Sequence, residues 1–282
     1  MSTAFVAEWV RALAEIEVLD VGFSYEPGRE VLRQVTLDVP EGSSMSIMGP
    51  NGSGKTTLIK TFNGLLLPTK GKVLVDGLAT TNASISQLAK KVGIIFQNPE
   101  KSFFSETVRQ EIAFGPKNMG FSEKEVDAVV NDVSVKFGLS DYLSSNPFDL
   151  SGGEKRRLSI ASVLAWRPEV VVMDEPTVGL DHQYRVFLID VLRGFKAEGK
   201  SVVIVTHDVD FALLTSERTA LMDGGSMVWR GSLTDLLKSP ELFARANMLP
   251  TFLTSLCTEL LRSGLSQDRF APVDLASLLG GK

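Results

Sequence analysis

The residues of this chain that could do chemistry fall in a few short stretches. GPNGSGKT, residues 49–56, has the spacing G-x-x-x-x-G-K-[ST]. Small residues there let successive backbone N–H groups wrap phosphate oxygens at a helix N-terminus. Lys55 can reach the β- and γ-phosphates of a nucleotide, and the Thr56 hydroxyl can coordinate Mg²⁺. Far downstream Asp174 ends the apolar run VVVMD and Glu175 follows it. Asp174 suits holding Mg²⁺ through water, and Glu175 suits polarising an attacking water. Two carboxylates at a buried strand end are costly without a cation. Gln97 and His207, one of two histidines, each close another apolar run; alone, both read as ordinary polar strand ends. A second glycine turn, LSGGEKRRL at residues 150–158, precedes a run of charge. Its glycines admit close backbone approach, Ser151 supplies a donor, and a helix beginning near Glu154 would aim its positive end at an anion. Lys155, Arg156 and Arg157 read as a solvated helix face.

A phosphate loop needs a strand before it and a helix after it. Residues 45–48 supply the first, and Leu58, Ile59 and Phe62 open the second. Further strands are expected at residues 16–21, 35–39, 72–75 (before an Asp76-Gly77 turn) and 93–97. Residues 170–174 and 201–208 are β-branched runs without polar alternation, the pattern of a buried parallel sheet whose carboxyl edge binds ligands. Between the 93–97 strand and these runs, residues 99–165 look mostly helical. Ser122 and Glu125 form a capping box, and Val126, Val129, Val130, Val133 and Phe137 follow at helical spacing. A hairpin is expected around Asp223-Gly224-Gly225. Past Gly231 the chain is expected to turn helical, with Ser239-Pro240-Glu241 as a start signal and Leu249, Phe252, Leu253, Leu256 and Leu260 on one face. Phe5, Trp9 and Leu13 suggest a short amphipathic helix at the start.

With 282 residues and 44% hydrophobic content the chain can fill a large α/β core, and its net charge of −5 lacks the footprint of a general nucleic-acid binder. A bound nucleotide should therefore be small. The lone Cys257 excludes an internal disulfide framework and fits a reducing compartment. Glu8, Arg11 and Glu15 interrupt the first apolar positions, so neither a signal peptide nor a spanning helix is expected there. A membrane role would come through a partner. The two histidines and one cysteine are not clustered, so no transition-metal site can be read.

In this order the motifs resemble the nucleotide-binding subunit of an ATP-binding cassette (ABC) transporter, over nearly all of residues 16–231. The resemblance implies an α/β P-loop NTPase of the ABC ATPase fold: an antiparallel β subdomain, a RecA-like core, an inserted helical subdomain at about 99–165 and a helical extension over 232–282, with an N-terminal extension over 1–15. It makes Tyr25 the adenine-stacking aromatic. Gly49, Pro50, Asn51, Gly52, Ser53, Gly54, Lys55, Thr56 and Thr57 become the Walker A loop. Gln97 becomes the Q-loop residue, beside Mg²⁺ with Thr56 and Asp174. Ser151, Gly152, Gly153 and Glu154 become the signature, Glu175 the catalytic carboxylate, Asp181 the D-loop aspartate and His207 the switch histidine. ATP and Mg²⁺ are the implied ligands. In this family two chains pair head-to-tail, and the signature of one closes on the γ-phosphate held by the Walker A loop of the other. The second glycine turn would then serve a partner's nucleotide. Two departures stand out: His182 where proline is common, and Glu154 where glutamine is frequent.

The stretch FQNPEKSFFSETVRQEIAFGPKNMG, residues 96–120, is similar to energy-coupling factor (ECF) transporter ATPases, a group that includes cobalt, nickel and vitamin importers. That likeness implies a second copy or a paralogous ATPase as partner, a transmembrane coupling protein, an integral substrate-binding subunit and a peripheral place on the cytoplasmic face of the membrane. No nucleic acid is implied. Phe103 and Phe104 could line the groove that receives the coupling helix. Cargo choice would lie in another subunit, with a divalent metal such as cobalt or nickel favoured over a vitamin. Cassettes acting on chromosomes carry a long heptad insertion, for which residues 57–150 are too few and too globular.

Overall fold

The computed structural model describes residues 14–179 and 182–245, with positions 251, 255, 256, 258 and 259. Ile16, Val18, Val21 and Phe23 are buried along β1 (Ala14–Glu26), which pairs antiparallel with β2 (Arg29–Pro40) and β4 (Lys70–Val75). With β5 (Leu78–Ala79) they form one sheet in the order β2-β1-β4-β5.

The second sheet is built from β3 (Ser44–Met48), β6 (Val92–Ile95), β7 (Val170–Asp174), β8 (Ser201–Val205), β9 (Arg218–Asp223) and β10 (Ser226–Gly231). Its order is β10-β9-β3-β8-β7-β6, parallel from β9 to β6, with β10 antiparallel at the edge. Every residue of β3, β7 and β8 is buried, so their apolar runs show no polar alternation because both sheet faces are covered. Val171, Met173, Val202 and Ile204 enter one hydrophobic cluster; Val170, Val172, Val203 and Val205 enter the other.

The first of these clusters joins the core to a helical lobe made of α3 (Val108–Asn118), α4 (Glu123–Lys136) and α5 (Gly152–Leu164). The second holds α1 (Lys55–Phe62) and α2 (Ile85–Lys91) against the antiparallel sheet. No strand interrupts residues 99–165. Capping boxes open α2 (Ser84, Gln87), α3 (Thr107, Gln110), α4 (Ser122, Glu125) and α5 (Ser151, Glu154). α6 (His182–Ala197) and α7 (Val209–Thr215) complete the core. α8 (Leu233–Leu237) and α9 (Pro240–Arg245) begin the tail, where Leu233, Leu236, Leu237 and Phe243 pack with Met48, Val209 and Leu221. This start of the tail is thus docked on the core.

Two strand ends fall short of expectation. β6 stops at Ile95 and β8 at Val205, so Gln97 and His207 lie on the loops beyond rather than on the strands. The reason is the change from apolar to polar side chains where the strands leave the core. The helix expected from Phe5, Trp9 and Leu13, the tail positions Leu249, Phe252, Leu253 and Leu260, and Asp181 lie outside the described residues. Leu256 is exposed. Among the described residues no helix is long and apolar enough to cross a membrane.

Candidate active site

Four neighbouring strands, β3, β8, β7 and β6, each release one predicted motif at the same carboxyl edge: the glycine loop, His207, Asp174-Glu175 and Gln97 in that spatial order. The loop leaves β3 through Gly49, at φ 145°, where a Cβ would stand 2.1 Å from the Met222 carbonyl oxygen; only glycine fits. Gly54 N-caps α1 at φ 97°. The first helical bond runs from the Leu58 N–H to the Gly54 carbonyl, so the N–H groups up to Thr57 have no acceptor inside the helix and remain available to an anion. Asn51, Gly52 and Thr56 are exposed, whereas Ser53, Lys55 and Thr57 are buried. The Ser53 hydroxyl is buried with no hydrogen-bond partner, an orphaned donor inside a loop shaped for phosphate.

Lys55 folds back over the loop and donates to the Gly49 carbonyl at 2.8 Å and the Pro50 carbonyl at 2.9 Å. Burial lowers its pKa, and Glu175 and Asp174 oppose that shift. Asp174 accepts from the Thr56 hydroxyl at 2.8 Å. Burial raises its pKa and the neighbouring Glu175 adds to the rise, against the Thr56 bond and the Lys55 and Lys60 charges. These are hard oxygen donors at a buried carboxylate that lacks a full counter-charge, which suits Mg²⁺.

Glu175 occupies the left-handed region, φ 48°. Its N–H donates to the Val205 carbonyl at 2.8 Å, and its carboxylate lies 2.9 Å from His207 Nδ1 and 3.5 Å from the Thr206 hydroxyl. The sequence-predicted carboxylate and histidine therefore meet directly. Asp208, the next residue, caps α7 through the Phe211 N–H at 2.9 Å and pairs with Arg185 of α6 at 2.9 Å, which fixes the loop that carries His207. Tyr25 is 58% exposed beside the loop; its hydroxyl is 3.2 Å from that of Thr57 and its ring stands edge-on to Phe23. Gln97 is exposed, and its carbonyl accepts from Arg156 at 2.9 Å.

The second glycine turn lies on the lobe. Ser151 is the N-cap of α5, which begins at Gly152, earlier than the charge run suggests. The Ser151 N–H and hydroxyl donate to the Glu154 carboxylate at 2.8 and 2.7 Å, so within this chain the serine donor is already engaged. Hydrogen bonds from Tyr142 and then Ser151 hold Glu154 below the usual carboxylate range. Gly152 and Gly153 are exposed, and a Cβ at either would meet no atom within 4 Å.

The expectation of a solvated face for Lys155, Arg156 and Arg157 is overturned. Lys155 pairs with Glu100 at 3.0 Å, and Arg157 donates to the Phe137 carbonyl at 3.0 Å. Arg156 donates to the Gln97 carbonyl and, at 3.2 Å each, to those of Glu175 and Pro176. α5 packs between the rest of the lobe and the core, so its charged side chains find loop carbonyls and the Glu100 carboxylate instead of water. Phe103 and Phe104 also part company. Phe103 is buried, while Phe104 is 60% exposed and stacks edge-on with exposed Phe114 at 4.5 Å. The buried carboxylate of Glu111 takes the N–H groups of Phe104 and Ser105 at 3.3 and 3.0 Å and so sets that split. Sequence reasoning missed Arg156 and Arg185, whose partners are distant in the chain, and Phe114, which meets Phe104 from a different element, α3. It also missed the Ser151 capping box, although S-x-x-E was there to be read.

The family model described as ABC transporter matches residues 32–178. Over 236 residues the chain is 48% identical to a putative ABC transporter ATP-binding protein of Pyrococcus furiosus, covering 80% of this chain and 90% of that one. Over 273 residues it is 37% identical to the energy-coupling factor transporter ATP-binding protein EcfA of Methanothermobacter thermautotrophicus, covering 94% and 88%. A dimeric ATP-binding cassette solved in a post-hydrolysis state with ADP and Pi superimposes with a TM-score of 0.71 at 27% identity, over 77% of this chain and 98% of that one. With the phosphate loop, the paired carboxylates and the histidine gathered at one sheet edge, the chain belongs to the ABC transporter family, as one of its ATP-binding, ATP-hydrolysing cassettes.

Proposed function

We propose that this chain is the ATPase of an ECF-type importer, pairing head-to-tail with a second copy or a paralogue so that two ATP molecules lie between two chains. The observation that carries the paired arrangement is Gly152-Gly153. Glycine in a helix costs up to about 1 kcal/mol relative to alanine, yet nothing in this chain crowds either position. Their smallness serves something that arrives from outside, and a partner-held γ-phosphate at the N-terminus of α5 matches that geometry and charge.

In this reading the N–H groups of the glycine loop and Lys55 hold the phosphates, and Tyr25 stacks on the base. Thr56, Asp174 and Gln97 would hold Mg²⁺, which when bound screens the phosphate charge. Glu175 accepts hydrogen bonding from the attacking water, and His207, 2.9 Å away, keeps that carboxylate turned into the site while its exposed ring reaches the γ-phosphate. Catalysis is then mostly positioning and electrostatics. Asp181 and the signature residues Ser151 to Glu154 complete the site from the opposing chain.

The ECF assignment rests on the likeness to EcfA over 94% of the chain. It implies a transmembrane coupling protein docked on the lobe, an integral substrate-binding subunit and a cytoplasmic-face location. The proposed cargo is a micronutrient, a divalent metal such as cobalt or nickel before a vitamin, supported by family likeness alone. The test is to isolate the chain with its partners from detergent-solubilised native membranes and identify them by mass. A coupling protein with a small integral binding protein is the expected result. Paired permeases would replace the ECF reading with a conventional transporter, and ribosomes or DNA without membrane protein would end the transport reading.

A further inference from the structure

We propose that Arg156 is a positioning residue that makes the placement of Glu175 depend on the position of helix α5; this rests on the reading of Glu175 as the water-polarising carboxylate. Glu175 has three polar groups to fix. Its N–H is held by β8 through Val205, and its carboxylate meets His207 on the loop after β8. Its carbonyl is held by the lobe, through Arg156 Nη1 at 3.2 Å, and the same nitrogen takes the Pro176 carbonyl at 3.2 Å. The backbone there has φ 48°, a conformation a glutamate keeps only when its surroundings over-determine it.

The other end of the guanidinium, Nη2, takes the Gln97 carbonyl at 2.9 Å. One side chain therefore ties the loops after β6 and β7 to a helix whose first residues are Gly152 and Gly153. Lys155, with its side chain only 14% exposed, adds a second tie to the loop after β6 through Glu100 at 3.0 Å. A planar fork can serve three carbonyls in fixed directions; an ammonium cannot reproduce that geometry. Any displacement of α5 on meeting a partner-held phosphate is passed through this fork to the carbonyls of Glu175 and Gln97. The guanidinium nitrogens of Arg156 are engaged by three backbone carbonyls, so it acts through the backbone.

The test compares Arg156→Gln and Arg156→Lys in the full chain, alone and combined with Glu175→Gln, by single-turnover ATP cleavage, ATP affinity and melting temperature. Arg156→Gln should lower the cleavage rate about 10- to 100-fold, the scale of an ångström-level misplacement, with ATP affinity within about threefold. Arg156→Lys should fall between it and the parent, and it keeps the test open if the glutamine variant folds poorly. In the Glu175→Gln background the Arg156 substitutions should have little further effect, because residues acting through one group are non-additive. Unchanged cleavage in Arg156→Gln, or the same fold-loss with and without Glu175, would overturn the proposal. Near-normal cleavage in Glu175→Gln alone would instead remove the reading of Glu175 on which it stands.

Discussion

At the scale of single residues, the pair to test is Glu175 and Asp174, adjacent carboxylates with different surroundings. Glu175 is met by a histidine and a hydroxyl, and Asp174 by a hydroxyl and, across the site, by the lysine. Glu175→Gln keeps shape and loses basicity, so turnover should fall by about 10²- to 10⁴-fold while ATP still binds; ATPase assays beside equilibrium nucleotide binding check this, and normal turnover would remove Glu175 from its role. Asp174 has its pKa raised by burial. A carboxyl group whose folded pKa lies above its unfolded value favours folding below the unfolded pKa and loses that contribution as pH rises through the folded one. At neutral pH its ionised form therefore weighs against the nucleotide-free fold. Asp174→Asn should raise the melting temperature of nucleotide-free protein at pH 7, by about 2–4 °C for each kcal/mol relieved, and the gain should shrink at pH 4–5. It should also abolish the response of hydrolysis to Mg²⁺. A lower melting temperature at both pH values would mean that the Thr56 bond outweighs burial.

At the scale of elements, α5 carries two kinds of information in its first two turns, and only one was legible in the sequence. Gly152 and Gly153 announce themselves by type, as GPNGSGKT does, because such motifs are local in the chain. The parallel sheet was equally legible from the unbroken apolar runs of β7 and β8, and α4 from its capping box. Arg156 was not legible, since its acceptors come from two loops distant in sequence from α5. Nor could two adjacent phenylalanines be told apart before Glu111 was seen to turn the chain between them. The glycine pair gives the sharper test. An aspartate in place of Gly153 would sit in the first turn of α5, where a negative charge favours the helix by about 0.3–1 kcal/mol and where an added Cβ meets no atom within 4 Å. Gly153→Asp should thus melt at or above the parent temperature. Facing a partner-held phosphate, the same charge should suppress ATP-dependent dimerisation, measured by light scattering in a Glu175→Gln background. Undiminished dimerisation would count against a composite site.

At the scale of the molecule, the ATP site and the proposed membrane contact lie on different parts of one body, joined by α3 and α5. Phe104 and Phe114 stack edge-on and remain 60% and 48% exposed, and Phe148, edge-on to Phe103 at 6.3 Å, is 51% exposed. Water gains nothing from such rings, whereas aromatic anchors dominate the energetics of protein interfaces. Their base is rigid: Glu111 is buried and fastens the backbone of Phe104, and α3 packs against α5, the helix that holds Gln97 and Glu175 through Arg156. A partner that moved this aromatic pair would therefore pull on the helix that holds the Gln97 and Glu175 carbonyls. Replacing both Phe104 and Phe114 by Ser removes exposed surface and one ring contact, worth about 0.5–1.5 kcal/mol, so the isolated chain should fold and hydrolyse ATP at close to the parent rate. The same variant should lose membrane partners on purification, because two anchors of about 2 kcal/mol each correspond to several hundred-fold in affinity. Retained partners with parental basal ATPase would move the docking surface elsewhere on the lobe, and loss of ATPase in the isolated chain would mean that the aromatic pair serves the fold of α3.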